Sequence, residues 1–210
     1  TDQRFESLSF RHEGMLMDLS RQRIDAQVIS ELLELAEEKQ LPSAIKALLE
    51  GKHVNNTEDR AALHSALRLP KSAQLNVDGQ EVVSDVHKTL DRMEQFVNQI
   101  HQGQWRGYTG KPITDVVNIG VGGSDLGPLM ACEATNQFRP EASLNIGFHF
   151  VSSMDGSQLS NLLLELDSEN TLFVLSSKSF GTIDTLANAA TAVDWLQERS
   201  GLDRELLIKQ

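Results

Sequence analysis

Apolar residues recur at helical spacing through the first half of the chain and in short continuous runs through the second. In Asp25-Ala-Gln-Val-Ile-Ser-Glu-Leu-Leu-Glu-Leu-Ala36, Val28, Leu32 and Leu35 repeat on one helical face behind Asp25, which is placed to cap it. Pro42 opens a second predicted helix, with Ile45, Leu48 and Leu49 on one face and Gly51 closing it. The run Asn55 to Arg68 predicts a third, capped by Thr57, with Glu58 and Asp59 set against the positive helix end. A fourth follows Ser84. Val86, Leu90, Met93, Val97 and Ile100 form its buried stripe and Gly103 its stop. The polar stretch between Leu69 and Val83 reads as a loop.

After Trp105-Arg-Gly-Tyr-Thr-Gly110 the pattern changes to strands alternating with helices. Strands are expected at Asp115 to Gly120, Leu144 to Val151 and Leu172 to Ser176. Helices are expected at Ser124 to Gln137, Gly156 to Leu166 and Thr182 to Gln197. Three strand–helix units in succession imply a parallel sheet with helices on both faces, an α/β fold, and such sheets bind ligands beyond the carboxyl ends of their strands. The expected organisation is a helical segment over 1–103 and an α/β domain over 104–210. Asp203 to Gln210 stops inside a predicted helix with neither cap nor breaker, so the chain is expected to be a fragment and the domain truncated at its C-terminal end.

Composition narrows the chemistry. With 210 residues, 40% of them hydrophobic, the chain can bury a substantial core. A formal charge of −11 opposes non-specific binding to nucleic acid or acidic membranes, so any anion site must be locally positive. Cys132 is the one cysteine and the six histidines are scattered without metal-ligand spacing, so no metal is expected. No apolar run approaches the ~18 residues of a membrane helix, and Thr1-Asp-Gln-Arg-Phe-Glu-Ser lacks a secretory plan; a cytoplasmic protein is expected.

Two loops could carry chemistry. In Val116-Val-Asn-Ile-Gly-Val-Gly-Gly-Ser-Asp-Leu-Gly-Pro128, glycines 120, 122 and 123 allow close approach of backbone to a ligand, and Ser124 can cap the next helix or donate its hydroxyl. Pro128 is tolerable in a first helical turn. The loop departs from the dinucleotide pattern, with Asp125 at the third glycine position, and from the triphosphate pattern, with Pro128 in place of lysine. A tight turn with no ligand is the equally weighted alternative for the glycines alone. The second loop, Thr171-Leu-Phe-Val-Leu-Ser-Ser-Lys-Ser-Phe-Gly-Thr182, gathers Ser176, Ser177, Lys178, Ser179 and Thr182 at a helix start. Four hydroxyls and an ammonium match the donor requirement of a phosphate monoester. The alternative is that Ser179 or Thr182 caps the helix and Lys178 is solvated.

Three motifs give these loops a family context. The chain contains N-x-T-E-x-R-A-x-L-H-x-A-L-R from Asn55 to Arg68, T-G-K-x-I-T-D-V-V-N-I-G-x-G-G-S-D-L-G-P from Thr109 to Pro128, and S-K-S-F-x-T from Ser177 to Thr182. In this order they resemble the phosphoglucose isomerase family over nearly the whole length. The resemblance implies a sugar isomerase (SIS) domain, a three-layer αβα sandwich with a parallel sheet, preceded by a helical N-terminal segment. It implies that Gly123, Ser124, Ser177, Lys178, Ser179, Phe180, Gly181 and Thr182 bind the sugar phosphate. The implied reaction interconverts glucose 6-phosphate and fructose 6-phosphate through a cis-enediol, with a carboxylate base and with no metal or organic cofactor. The family's base, and the histidine and lysine that assist ring opening, correspond to positions beyond Gln210, so no catalytic residue is expected in this chain and the chain alone is expected to be inactive. The full-length protein is expected to be a homodimer whose site borrows a partner histidine. Gly181, Ile183 and Asp184 depart from Thr, Gln and Glu in many relatives, but the phosphate-donating hydroxyls are retained.

Other residues carry blander readings. Arg60 and His64 would lie one turn apart as a structural pair, and the Asn55-Asn-Thr57 sequon has no secretion signal to make it one. Cys132 reads as a small buried hydrophobe, Asp125 and Asp184 as helix-start residues, and His149 as a hydrogen-bonded core residue. A rival reading is a stand-alone SIS module sensing sugar phosphates within a regulator. It leaves the Asn55 to Arg68 motif unexplained, and the acidic first hundred residues contain no DNA-binding segment.

Overall fold

The computed structural model describes residues 2–209, which fall into two units, Thr1–Leu90 and Asp91–Gln210. The first unit begins with α1 (Arg4–Ser7) and an antiparallel hairpin of β1 (Ser9–His12) and β2 (Met15–Asp18). Glu13 and Gly14 both adopt positive φ at its turn, as a hairpin twisted like its strands requires. Helix α2 (Ala26–Glu38) starts where expected, and the Asp25 side chain accepts the Val28 N–H at 3.0 Å. Helix α3 (Leu41–Leu49) carries Pro42 in its first turn and is followed by Gly51 at φ 71°.

The third predicted helix does not form. Asn55 and Arg60 instead make an antiparallel bridge, Asp59 takes φ 47°, and only His64–Arg68 winds, as a 3₁₀ turn. Thr57 donates its hydroxyl to the Asn55 side chain at 2.8 Å and caps nothing, while Arg60 pairs with Glu58 rather than standing over His64. Side chains that bond to near neighbours offer the chain an alternative to the helix, and here that alternative prevails. The expected loop before Val83 contains a second hairpin, β3 (Asn76–Val77) and β4 (Gln80–Glu81), turned by Asp78 and Gly79 at positive φ. His53 joins the two irregular regions, with Nδ1 3.0 Å from Asp59 and Nε2 2.9 Å from Asp78. Both carboxylates raise its pKa, Asp78 most.

Helix α4 (Val82–His101) crosses the division between the units. The Glu81 carboxylate accepts N–H groups of Leu75, Ser84 and Val83, which holds its pKa low and fixes the helix start. Leu90, Met93 and Val97 on the stripe expected to be buried are exposed, as are Leu32, Leu35, Ile45 and Leu49 of α2 and α3. Periodicity identifies an apolar face; it does not supply the surface that would cover it.

The second unit follows the expected order closely. Strand β5 (Asp115–Ile119) leads to α5 (Gly123–Thr135), β6 (Gly147–Val151) to α6 (Gly156–Glu165), and β7 (Thr171–Leu175) to α7 (Ile183–Ser200), followed by α8 (Arg204–Lys209). The strands form one parallel sheet in the order β6-β5-β7, with Ile119 opposite both Val151 and Leu175. The step from β5 to β6 and the return over β5 to β7 run in opposite directions, so right-handed crossovers place α5 and α6 on opposite faces. Val117, Ile119, Val151, Leu159, Leu163 and Ala192 make the core against α6 and α7, with Phe173 and Trp195 packed edge to face upon it. This is a three-layer αβα arrangement. At the other end of the sheet His149 Nε2 lies 2.8 Å from Asp115, a hydrogen-bonded structural pair as expected.

Candidate functional site

All three strands end in register, so the loops after β5, β6 and β7 emerge along one edge of the sheet. β5 and β7 are neighbours, roughly 4.8 Å apart as paired strands are, yet the chain leaves them toward helices on opposite faces. Such a point, where connections from neighbouring strands diverge, is where open α/β sheets bind ligands. The glycine loop and the hydroxyl loop flank it.

The glycine loop is shaped by close contact. A Cβ on Gly120 would stand 2.7 Å from the Ser124 carbonyl oxygen and 2.9 Å from its Cβ, so only glycine lets the strand end meet the helix start. Gly122 takes φ 61° and precedes α5, which begins at Gly123. Its early N–H groups bond within the loop: Ser124 N–H to Val121 at 3.2 Å, and Leu126 N–H to Gly122 at 2.8 Å. Ser124 therefore lies within the first turn rather than capping it. Pro128 sits inside the helix, not in its first turn as expected, and cannot donate to Ser124, four residues back. The buried Asn118 side chain fills that role, donating from Nδ2 to the Ser124 carbonyl oxygen at 3.0 Å.

The hydroxyl loop is organised otherwise. Phe180 adopts φ 51° and its N–H donates to Ser177 Oγ at 3.1 Å, which folds the loop over Lys178 and Ser179 while leaving the Ser177 proton free to donate. Thr182 is the residue before α7, but its side chain caps nothing, and Ser179 makes no cap either. The capping alternative to a ligand role therefore finds no support. Lys178, Ser179, Phe180 and Gly181 are exposed, and Ser177 and Thr182 half-buried. Among the described residues, no acceptor takes the backbone N–H of Ser177, Lys178 or Ser179. Ser176 is different: its hydroxyl donates to Asn118 Oδ1 at 2.6 Å, so one of the four hydroxyls read from the sequence is already engaged.

Acids stand nearby without the features of a base. Asp155, after β6, accepts the N–H and hydroxyl of Ser157 at 2.9 and 2.8 Å, and these bonds lower its pKa. It caps α6. Asp184 lies half-buried in the first turn of α7, and Asp125 is buried in the first turn of α5 with Oδ1 unpartnered. Cys132 is half-buried and burial pushes its thiol pKa up, which fits an inert side chain. Among the described residues no cluster of three or more His, Cys, Asp or Glu is gathered as a metal site, and no helix is long and apolar enough to cross a membrane. A mainly apolar cavity of about 330 Å³ lies against β7, lined by Trp105, Ile113, Phe173, Ala192 and Ile208 among others. Among its polar side chains, Tyr108 is already paired with Ser168 and Arg106 with the Gly110 carbonyl, each at 2.9 Å.

Known proteins share this arrangement. The family model described as Phosphoglucose isomerase matches residues 18–208, a span that includes the region before the sheet. A glucose-6-phosphate isomerase 2 of Chromohalobacter salexigens is 53% identical over 206 residues, covering 95% of this chain and 37% of that protein. A glucose-6-phosphate isomerase of Psychrobacter cryohalolentis is 53% identical over 193 residues, covering 92% of this chain and 34% of its own length. The chain thus spans about a third of these relatives. The crystal structure of a glucose-6-phosphate isomerase from Chlamydia trachomatis superposes with a TM-score of 0.74 over 97% of this chain and 38% of that one, at 24% identity, a likeness of fold. With a family model matched along almost its full length, the chain belongs to the phosphoglucose isomerase family.

Proposed function

We propose that the space between the two loops binds the phosphate of a sugar phosphate, and that the whole protein interconverts glucose 6-phosphate and fructose 6-phosphate. The observation that carries this reading is the concentration of uncommitted donors on the hydroxyl loop. The hydroxyls of Ser177, Ser179 and Thr182, the Lys178 ammonium and three backbone N–H groups lie within six residues of a chain whose formal charge is −11. A dianion with three oxygens needs several donors at once, and charge-assisted bonds to it are the strong ones. Gly123, Ser124, Phe180 and Gly181 complete the proposed contacts by allowing the backbone near the ligand. The two curated relatives carry the isomerase name, which favours this substrate over other phosphate monoesters.

The proton transfer between C1 and C2 is assigned to residues outside this chain. A base must reach the substrate carbon, directly or through one water. Asp155 is committed to Ser157, and Asp125 and Asp184 sit in helix starts, where their charge opposes the helix dipole favourably and would repel a bound phosphate. In the proposed organisation a helical segment over 1–103 precedes an SIS domain beginning at 104, and the full-length protein is a cytoplasmic homodimer. Calorimetric titration with glucose 6-phosphate and with glucose, paired with a coupled assay for fructose 6-phosphate, tests both halves. Saturable binding of the phosphorylated sugar alone, without turnover by residues 1–210, is expected. Equal binding of glucose would overturn the phosphate assignment, and turnover within tenfold of a full-length relative would overturn the placement of the base.

A further inference from the structure

Among the described residues, Asn118 is the one whose side chain hydrogen-bonds to both loops. It is 8% exposed, on the sheet face opposite the Val117 and Ile119 core. Its Nδ2 donates to the Ser124 carbonyl oxygen at 3.0 Å and its Oδ1 accepts from Ser176 Oγ at 2.6 Å. The first bond has a specific origin. In a regular helix the Ser124 carbonyl would receive the N–H of residue 128, and Pro128 has none. The carbonyl is left for Asn118, so α5 is tied to the sheet at the turn that presents Ser124. The second bond ties the first residue of the hydroxyl loop, directly before Ser177 and Lys178, to the same amide.

We propose that Asn118 is a positioning residue, which fixes the glycine loop and the hydroxyl loop relative to each other so that their donors converge on one anion. The amide suits this place because it offers a donor and an acceptor on one rigid plane; a carboxylate or an aliphatic side chain offers at most one of the two. Ser176 serves the same framework and is not a ligand donor. The inference rests on reading the two loops as a phosphate site, but the coupling between them is measurable without any ligand.

The test combines amide hydrogen exchange on the ligand-free full chain with titration of inorganic phosphate. The variants are Ser176→Ala, Ser176→Thr and Asn118→Asp, with Leu163→Ala on α6 as a control that loosens the core away from the loops. Ser176→Ala removes a bond made only by the hydroxyl loop, yet exchange should rise in the glycine loop, at residues 123–126, as well as at 177–180. Phosphate affinity should fall about fivefold or more, in line with a lost buried hydrogen bond, and Ser176→Thr should restore both. Asn118→Asp keeps the acceptor for Ser176 and loses the donor to Ser124, and should weaken phosphate binding likewise. Leu163→Ala should raise exchange through the core without a change in affinity beyond twofold. Exchange confined to the hydroxyl loop in Ser176→Ala, or an affinity drop matched by Leu163→Ala, would overturn the inference. Should the wild type bind no phosphate, the site reading falls, and the exchange pattern alone decides the coupling. If Asn118→Asp does not fold, the two Ser176 variants carry the decision.

Discussion

The two loops solve different parts of one problem. In the glycine loop the N–H groups of Ser124, Asp125 and Leu126 are taken up by the Val121 and Gly122 carbonyls, those of Val121, Gly122 and Gly123 meet no acceptor among the described residues, and the notable feature is steric: Gly120 packs directly on Ser124. In the hydroxyl loop the side chains and N–H groups of Ser177, Lys178 and Ser179 remain largely uncommitted, and the backbone is held by one Ser177 to Phe180 bond. The glycine loop provides shape and backbone N–H groups, and the hydroxyl loop adds side-chain donors. The steric contribution of the glycines is to let a helix start approach a strand end.

That division makes substitutions in the two loops separable. The largest effect is expected from Gly120→Ala, whose added Cβ meets backbone 2.7 Å away and forces the strand end or helix start to move. Overpacking of this kind costs about 1–3 kcal/mol of stability, and urea unfolding should register it together with lost phosphate affinity. Ser177→Ala and Thr182→Ala should each reduce affinity by about 0.5–1.5 kcal/mol while leaving the unfolding midpoint nearly unchanged. A stability loss as large as that of Gly120→Ala would break the contrast. Smaller still, Gly181→Ala should be tolerated, since φ there is not positive and the new Cβ would meet only Ser179 Oγ at 3.6 Å. A gain of about 0.4–1 kcal/mol from reduced freedom of the unfolded chain is the expected result by thermal unfolding. The slightest effect belongs to the third loop of the same edge. Asp155 has its pKa lowered by Ser157, so its cap contributes stability above the ordinary aspartate value of 3.8 and loses it as pH falls through the lower folded value. Asp155→Asn should therefore narrow its stability difference from wild type as the solution is acidified, with phosphate binding at neutral pH unaffected.

The second unit was far more legible than the first. Buried parallel strands and the helices between them combine continuous apolar runs with glycine and hydroxyl punctuation, and all six expected elements lie within three residues of their observed bounds at both ends. Among the strands the largest offset is at β6, which starts at Gly147 instead of Leu144, where Arg139 turns back on the carbonyls of Ser143 and Ile146 and holds the preceding segment out of the sheet. In the first unit, Asn55 to Arg68 has a helical apolar pattern but closes as a bridge between Asn55 and Arg60. The hairpins at Glu13-Gly14 and Asp78-Gly79 carried a readable signal in their glycine turns, strongest in the Asp-Gly pair, which short strands made easy to pass over. Of the site, the donor residues were visible by type. Asn118 shows itself in the sequence only as a polar amide in an otherwise apolar strand. Which residues it would join depends on strand order and on Pro128 lying inside the helix, and neither is written locally.

Removing the Lys178 ammonium tests the central claim most directly. Glucose 6-phosphate is titrated calorimetrically into wild type and Lys178→Ala under conditions where unfolding curves show both to be fully folded. The account predicts a loss of about 1.5–3 kcal/mol, on the order of 10- to 150-fold in affinity, with stability within about 0.5 kcal/mol of wild type at this exposed position. Equal affinities for the two proteins would contradict it.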